Sequence, residues 1–359
     1  MASIRDYLTE FGALSLDMNP FNAVDGLIFA QLSYMNFDGI VGEDPVPLQP
    51  ACAKMLQKQD FSSMYHFMQV DDARLLVCLG MRKRFAQVQL LNYVSVLDDD
   101  RQEQFSAITA DFPAFRLVAM RGTDASLAGW KEDFNMAFAS PVPAQLKAAE
   151  YVNQAGDTTD KPLVVCGHSK GGNLAVYGAS FCREEVQNRI TAVYSYDGPG
   201  LTPQQAADPA HVRLMPRISV MIPRGSFVGT LFEQTDDVVD VESDAVGLMQ
   251  HYSYNWQVEG MGFVLAEKPT DPSAFMTGAM RELIASMDLE ERRLFVEALY
   301  SILSASEATD LVTLFNEWQV RSIKMLRYYK NLDKSTRDVV VSVVRKFLKA
   351  AALQVKFGE

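Results

Sequence analysis

The chain has 359 residues, of which 48% are hydrophobic and 22% charged, and it carries a formal net charge of −12. This is enough apolar material for one large α/β domain with extra elements, or for two modest domains. The acidic balance argues against a nucleic-acid partner, and no apolar run reaches membrane-spanning length.

Met1 to Glu10 carries Arg5, Asp6 and Glu10 and lacks an apolar core, so no signal peptide is expected. Asn22 and Asp25 form a capping-box-like start, after which Val24, Leu27, Ile28, Leu32 and Met35 predict an amphipathic helix. Gly39 to Pro50 reads as a loop, followed by two short helices to about residue 80. From Arg84 the period changes to that of strands: Val88–Val96, Gln104–Ala110 and Phe115–Met120, with Asp98-Asp99-Asp100 as a turn. A helix over Ala144–Tyr151 and a strand from Leu163 come next, then short strands over Ile190–Tyr196 and Ile218–Ile222. Val238–Val241 and Phe263–Ala266 read as late edge strands. Alternation of strands and helices between residues 115 and 225 predicts a largely parallel sheet covered on both faces. Beyond Pro269 the pattern is helical, with caps at Asp271 or Ser273, at Asp288, and at Ser335. A stripe through Leu311, Leu314, Phe315, Trp318, Met325 and Leu326 supports it. The expected division is 1–268 for the α/β domain and 269–359 for a helical extension.

The four cysteines (Cys52, Cys78, Cys166, Cys182) have no metal-ligand spacing, so no metal and no cofactor is expected. Reduced thiols in an apolar strand and helix suit a cytoplasmic address. The last helix sets Lys334, Arg337, Arg345, Lys346, Lys349 and Lys356 among Val340, Val343, Val344, Phe347 and Leu348. Such a helix can lie on an anionic membrane surface, but packing on its neighbours with the lysines outward is the preferred reading.

The chemistry is concentrated in Leu163-Val164-Val165-Cys166-Gly167-His168-Ser169-Lys170-Gly171-Gly172. Gly167, Ser169 and Gly171 form G-x-S-x-G between a short buried strand and a helix of small residues. That setting holds a serine hydroxyl out of a sharp turn, with the next helix aiming its free N–H groups at the same place. Ser169 is therefore the candidate nucleophile. A base is found by elimination among four histidines. His66 lies far upstream, His168 is inside the elbow with its ring expected to point away from Ser169, and His211 precedes the strand at Ile218. His251, after all the main strands, is the candidate base. Asp197, at the exit of the strand after the elbow helix, is the candidate acid. Asp236, Asp237, Asp240 and Asp244 are alternatives. For the oxyanion hole, Lys170 supplies the N–H after the nucleophile, and Thr123, in the exit loop after Met120, supplies the second.

Arg121-Gly122-Thr123-Asp124 with Trp130 and Asp133, followed by Gly167-His168-Ser169-Lys170-Gly171-Gly172, resembles the fungal-type class three lipases. Lys170, Asn173-Leu174-Ala175, Gln250-His251 and Trp256 look more like a related bacterial lipase-like family of unknown function. The resemblance covers roughly residues 20–265. It implies an α/β-hydrolase fold with a mixed, mostly parallel central sheet, and ester or lipid substrates of small size. In those lipases the acid follows the next strand. Here that place reads Pro223-Arg224-Gly225-Ser226-Phe227-Val228-Gly229, with Ser226 where an aspartate is expected. Either the acid has moved to Asp197, as in the pancreatic-type lipases, or the triad is weakened. The first alternative makes a serine hydrolase acting through an acyl-enzyme. The second makes a hydrolase-like module that binds partners through its helical region. Candidate lids lie at Ala125–Lys131 or Gly39–Pro50.

Overall fold

The computed structural model describes residues 2–58, 69–98, 103–123, 136, 141–226, 228–229, 238–266, 286–287, 289–305, 318–334, 336–343 and 345–346. Expectations for Asp99, Asp100, the 125–131 lid, Trp130, Asp133, Asp236, Asp237, Asp271, Ser273, Asp288, Leu311, Leu314, Phe315 and Ser335 fall outside them. The chain divides into two units. The first comprises residues 1–97, 105–122 and 144–269, and the second 98–104, 123–143 and 270–359.

The first unit is an α/β-hydrolase fold around an eight-stranded sheet whose strands are ordered β1 to β8 in sequence. These are Val46–Pro47, Gln89–Asp98, Glu103–Asp111, Arg116–Met120, Leu163–His168, Ile190–Tyr196, Ile218–Pro223 and Val238–Val241. β3 and β4 are antiparallel, whereas β4 through β8 run parallel. Every residue of β4 and β5 is buried, as expected of strands covered on both faces. Alternation then sorts their side chains. Leu117, Ala119, Val164 and Cys166 join the core under the N-terminal helices, leaving Val118, Met120, Leu163 and Val165 for the opposite face. Helices α5 (Pro143–Asp157) and α6 (Lys170–Phe181) are the crossovers that parallel pairing requires. The expected helix over 144–151 thus continues two turns further.

At the N-terminus one helix is not among those expected, and two expectations change. Ile4–Phe11 is a helix (α1) with a Ser3–Asp6 capping box, because Ile4, Tyr7, Leu8 and Phe11 fall on one face between the charges. Helix α2 (Ala23–Leu32) keeps its Asn22–Asp25 capping box but is not amphipathic: every residue from Val24 to Leu32 is buried. Its polar side chains are enclosed because each finds partners. Asp25 pairs with the equally buried Arg84 and accepts from Tyr7 Oη at 3.0 Å. The Gly39–Pro50 loop ends early, since Val46–Pro47 pairs with β2 and helix α3 (Leu48–Lys58) takes Pro50 into its first turn, where a missing N–H costs nothing. Near the C-terminal end of the unit, Gly262–Phe263 pairs with Val258–Glu259 in a separate ribbon. The end of the expected Phe263–Ala266 strand meets β8, through a Leu265 bridge to Val241 and the Ala266 N–H, which donates to Asp240 O at 2.9 Å.

In the second unit, helices span Leu289–Ser304 and Trp318–Asn331, and residues 336–343 are helical. That last helix is capped by Asp333, which accepts from Thr336 N at 3.0 Å, two residues before the expected cap. Val343 is buried and Lys346 Nζ binds Glu291 at 2.7 Å, so part of the basic face packs within this unit. Leu326, expected in the apolar stripe, is exposed. No helix among the described residues is long and apolar enough to cross a membrane.

A buried polar cluster joins α2 to helix α4 (Gln69–Met81) and to the loop after His251. Asp72 Oδ1 accepts from Gln31 Nε2 at 2.9 Å and Tyr254 Oη at 2.6 Å, and Ser253 Oγ donates to Gln31 at 2.7 Å. Burial pushes the Asp72 carboxyl up to about 7, against the donors that favour its ionised form. A carboxyl with a raised folded-state value is protonated in the fold and ionised in the unfolded chain between the two values. The fold therefore loses stability as pH rises from about 4 to about 7, by on the order of 4 kcal/mol at most. Urea unfolding midpoints measured across that range should fall with pH in the wild type and flatten in Asp72→Asn.

Candidate active site

The parallel register brings the ends of four strands to one edge. Met120 pairs with Gly167, His168 with Tyr196, and Tyr196 with Met221. The loops leaving β4, β5, β6 and β7 therefore start side by side at the carboxyl edge, where ligands of such sheets bind. Ser169 turns the chain from β5 into α6 at φ +59°, ψ −133°, a conformation that costs a side-chain-bearing residue about 1–3 kcal/mol. Its N–H donates to Tyr196 O at 2.9 Å, and its carbonyl accepts from Gly172 at 2.8 Å. The flanking glycines are required by space. A Cβ at Gly167 would lie 2.0 Å from Gly171 O, and one at Gly171 would lie 2.2 Å from Met120 O. The same packing draws the exit of β4 onto the elbow, with a Cβ at Gly122 falling 2.9 Å from Ser169 Cβ. Thr123 follows directly in the chain and is buried, as is Lys170 at the first position of α6.

Asp197 leaves β6 at φ +48° and is wholly buried. Its Oδ2 lies 2.6 Å from His251 Nδ1 and accepts from Ser226 Oγ, also at 2.6 Å. Oδ1 accepts from Gly229 N at 2.9 Å. A carboxylate only accepts, so His251 Nδ1 carries a proton, and in the neutral ring the lone pair is on Nε2. The His251 side chain is about one-quarter exposed, at 26%. This is the tautomer and orientation that a histidine needs to take a proton from a hydroxyl. Of the other acids, Asp240 lies in β8, where burial raises its carboxyl, and Asp244 accepts from Gln257 at 2.8 Å.

Two further histidines take other places, and His66 lies outside the described residues. His211 is buried on the helix Pro209–Leu214, with Nδ1 2.9 Å from Ser180 Oγ. His168 is buried, with Nε2 2.8 Å from His251 O and Nδ1 3.0 Å from Tyr34 Oη. Burial, and then the neighbouring His251, hold its ring well below the usual histidine range, so it stays neutral. Among the described residues no cluster of His, Cys, Asp and Glu suits a metal ion. The cysteines are all free, and burial pushes the Cys52 and Cys182 thiols up to about 12.

A family model described as Mbeg1-like matches residues 79–301, which includes the elbow, Asp197 and His251. The chain belongs to the Mbeg1-like family. Among curated proteins none matches it significantly. Mbeg1-like, a lipase-like family, is represented here by a chain similar to several solved lipases. The crystal structure of M37 lipase is 12% identical, with 65% of this chain and 91% of that one covered at a TM-score of 0.41. Lip2 lipase from Yarrowia lipolytica is 14% identical, with 51% and 84% covered at 0.35. A Rhizomucor miehei lipase propeptide complex is 15% identical, with 58% and 72% covered at 0.34.

Four residues around the site escape sequence reasoning: Tyr34, Asn173, Ser226 in its actual contact, and Gly229. Asn173 Nδ2 donates to Gly200 O at 2.8 Å and its Oδ1 accepts from Gln145 Nε2 at 2.9 Å, which pins the turn after Asp197. A polar amide among the glycines and apolar residues that open α6 was the available signal. The close contact at residue 171 generates a test. Gly171→Ala must push Met120 O aside, at a cost of about 1–3 kcal/mol. Thermal unfolding should show a Tm lowered by several degrees, and a variant as stable as the wild type would mean that the elbow and β4 are not in contact.

Proposed function

We propose that this Mbeg1-like protein is a serine hydrolase of the lipase/esterase type, with Ser169 as nucleophile, His251 as general base and Asp197 as the acid that orients it. Two observations carry this reading: the 2.6 Å contact between His251 Nδ1 and Asp197 Oδ2, and a serine in the strained elbow conformation at the exit of the strand that pairs with the acid's own. Ser169 Oγ attacks the carbonyl carbon of a carboxylic ester as its proton passes to His251 Nε2. The N–H of Lys170, at the start of α6, is the donor to the tetrahedral oxyanion, and Thr123 is the second donor expected from the sequence. Collapse expels the alcohol, which takes the proton from His251, and leaves an acyl-Ser169 ester. Water then repeats the steps and releases the acid. The proposed division keeps this chemistry in residues 1–268, with 269–359 as the helical extension.

The reading as a non-catalytic binding module draws on the serine at position 226 and on the helical extension. Asp197 supports the catalytic alternative, because it supplies to His251 the carboxylate that position 226 lacks. A fluorophosphonate probe should label the wild type and not Ser169→Ala. Against p-nitrophenyl esters of rising chain length, Asp197→Asn should lose on the order of 10⁴ in kcat. A folded wild type that neither takes the probe nor cleaves any ester would refute the assignment.

A further inference from the structure

We infer that His168, inside the elbow, is a positioning residue that fixes His251 by gripping its main-chain carbonyl. The inference rests on the proposed roles of Ser169 and His251 and adds to them a strut between the two. His251 sits at the end of a short 3₁₀ turn over Gly247–His251, an element with little intrinsic stability. Its imidazole is anchored at Nδ1 by Asp197. A ring pinned at one nitrogen can still swing with its backbone, so a second restraint must act on the main chain.

His168 supplies that restraint. Its Nε2 faces the carbonyl of His251 at 2.8 Å, and a carbonyl only accepts, so Nε2 carries the proton. Nδ1 is then an acceptor, and Tyr34 Oη stands 3.0 Å from it to donate. The His251 carbonyl thereby sets the tautomer, and Tyr34 Oη, which also lies 3.3 Å from His168 O, holds the other side of the ring. The ring cannot turn aside: it is packed 4.6 Å from the His251 ring centroid and edge-on to Trp256 at 6.3 Å. Trp256 in turn donates from Nε1 to Gln250 O at 3.0 Å, so two consecutive carbonyls of the base loop are held from beneath. Because His168 immediately precedes Ser169, any displacement of the elbow carries the base loop with it. Burial keeps the ring uncharged, which removes repulsion against a His251 that becomes an imidazolium during each proton transfer.

The test uses the full-length protein with His168→Phe, which keeps a flat apolar ring, and His168→Gln, whose amide N–H can reach the same carbonyl. With p-nitrophenyl esters, His168→Phe should lose about tenfold to a hundredfold in kcat with KM within roughly twofold, the signature of a misplaced catalytic group. His168→Gln should recover to within about fivefold of wild type. Circular dichroism and Tm establish that both variants are folded. A folded His168→Phe with wild-type kcat would overturn the inference, as would a His168→Gln variant no better than phenylalanine. The proposed function fails separately, if the wild type itself is inert. In that case ¹⁵N-histidine NMR decides. The strut requires His168 to carry a proton on Nε2, and a shift or splitting of the His251 ring signals in His168→Phe. Unchanged His251 signals would sink it.

Discussion

A carboxylate with no exposed surface must have each oxygen met by donors, since an unpaired buried charge costs several kcal/mol. Asp197 meets that demand by drawing two segments onto its carboxylate: the loop after β7 through Ser226 and Gly229, and the 3₁₀ turn through His251; its main-chain N–H separately donates to Met221 O. The geometry of the candidate site follows from this one group. His251 is oriented because Nδ1 is one of the donors. A small hydroxyl fits at Ser226 because Asp197 already holds the charge there, and a second carboxylate would repel the first. The positive φ at Asp197 is tolerated because the surrounding bonds over-determine it.

The elbow obeys a different constraint, that of space. Parallel register lays the end of β4 beside Gly167 and the end of β6 beside His168, so no atom beyond hydrogen fits at Gly167 or Gly171. The strain at Ser169 is maintained by main-chain bonds to Tyr196 and Gly172. Those same bonds couple the nucleophile's strand to the acid's, because Tyr196 immediately precedes Asp197. Position along the sheet edge is therefore set by backbone hydrogen bonding, and side chains refine it.

This explains which parts were legible in the sequence. The strands Ile190–Tyr196 and Val238–Val241 and the Asn22–Asp25 cap are local in origin: apolar runs and a capping box need no distant partner. The grouping of Ser169 with glycines is local too. By contrast, the burial of α2 on every side depends on Arg84, Asp72 and Tyr196 arriving from far along the chain, and a helical period cannot announce them. Leu326 shows the converse, an apolar residue in register with a stripe that the fold leaves in water. Asp197 stood out only as a strand-end carboxylate before a glycine. What distinguishes it from Asp240 or Asp244 is convergence with His251 across 54 residues, which no spacing rule encodes. His168 was hidden for a related reason: its role lies in a bond to a backbone carbonyl, and any residue at position 251 has one.

The base loop is secured from two directions whose chemistry differs. From α4, Asp71 accepts from Tyr252 Oη at 2.8 Å and Asp72 from Tyr254 Oη at 2.6 Å. From the elbow, His168 takes the His251 carbonyl, and Trp256 takes that of Gln250. The α4 side contains a carboxyl that burial places near neutrality, so its hold changes character as Asp72 gains or loses a proton. The elbow side contains no charge that titrates in that range, because the His168 ring is kept neutral. Global stability can therefore vary with pH through Asp72 while the spacing of nucleophile and base is defended by a support that does not titrate with it. The separation is economical in residues: one tyrosine pair answers to α4, one histidine and one tryptophan answer to the elbow, and the five positions from Gln250 to Tyr254 carry contacts to both.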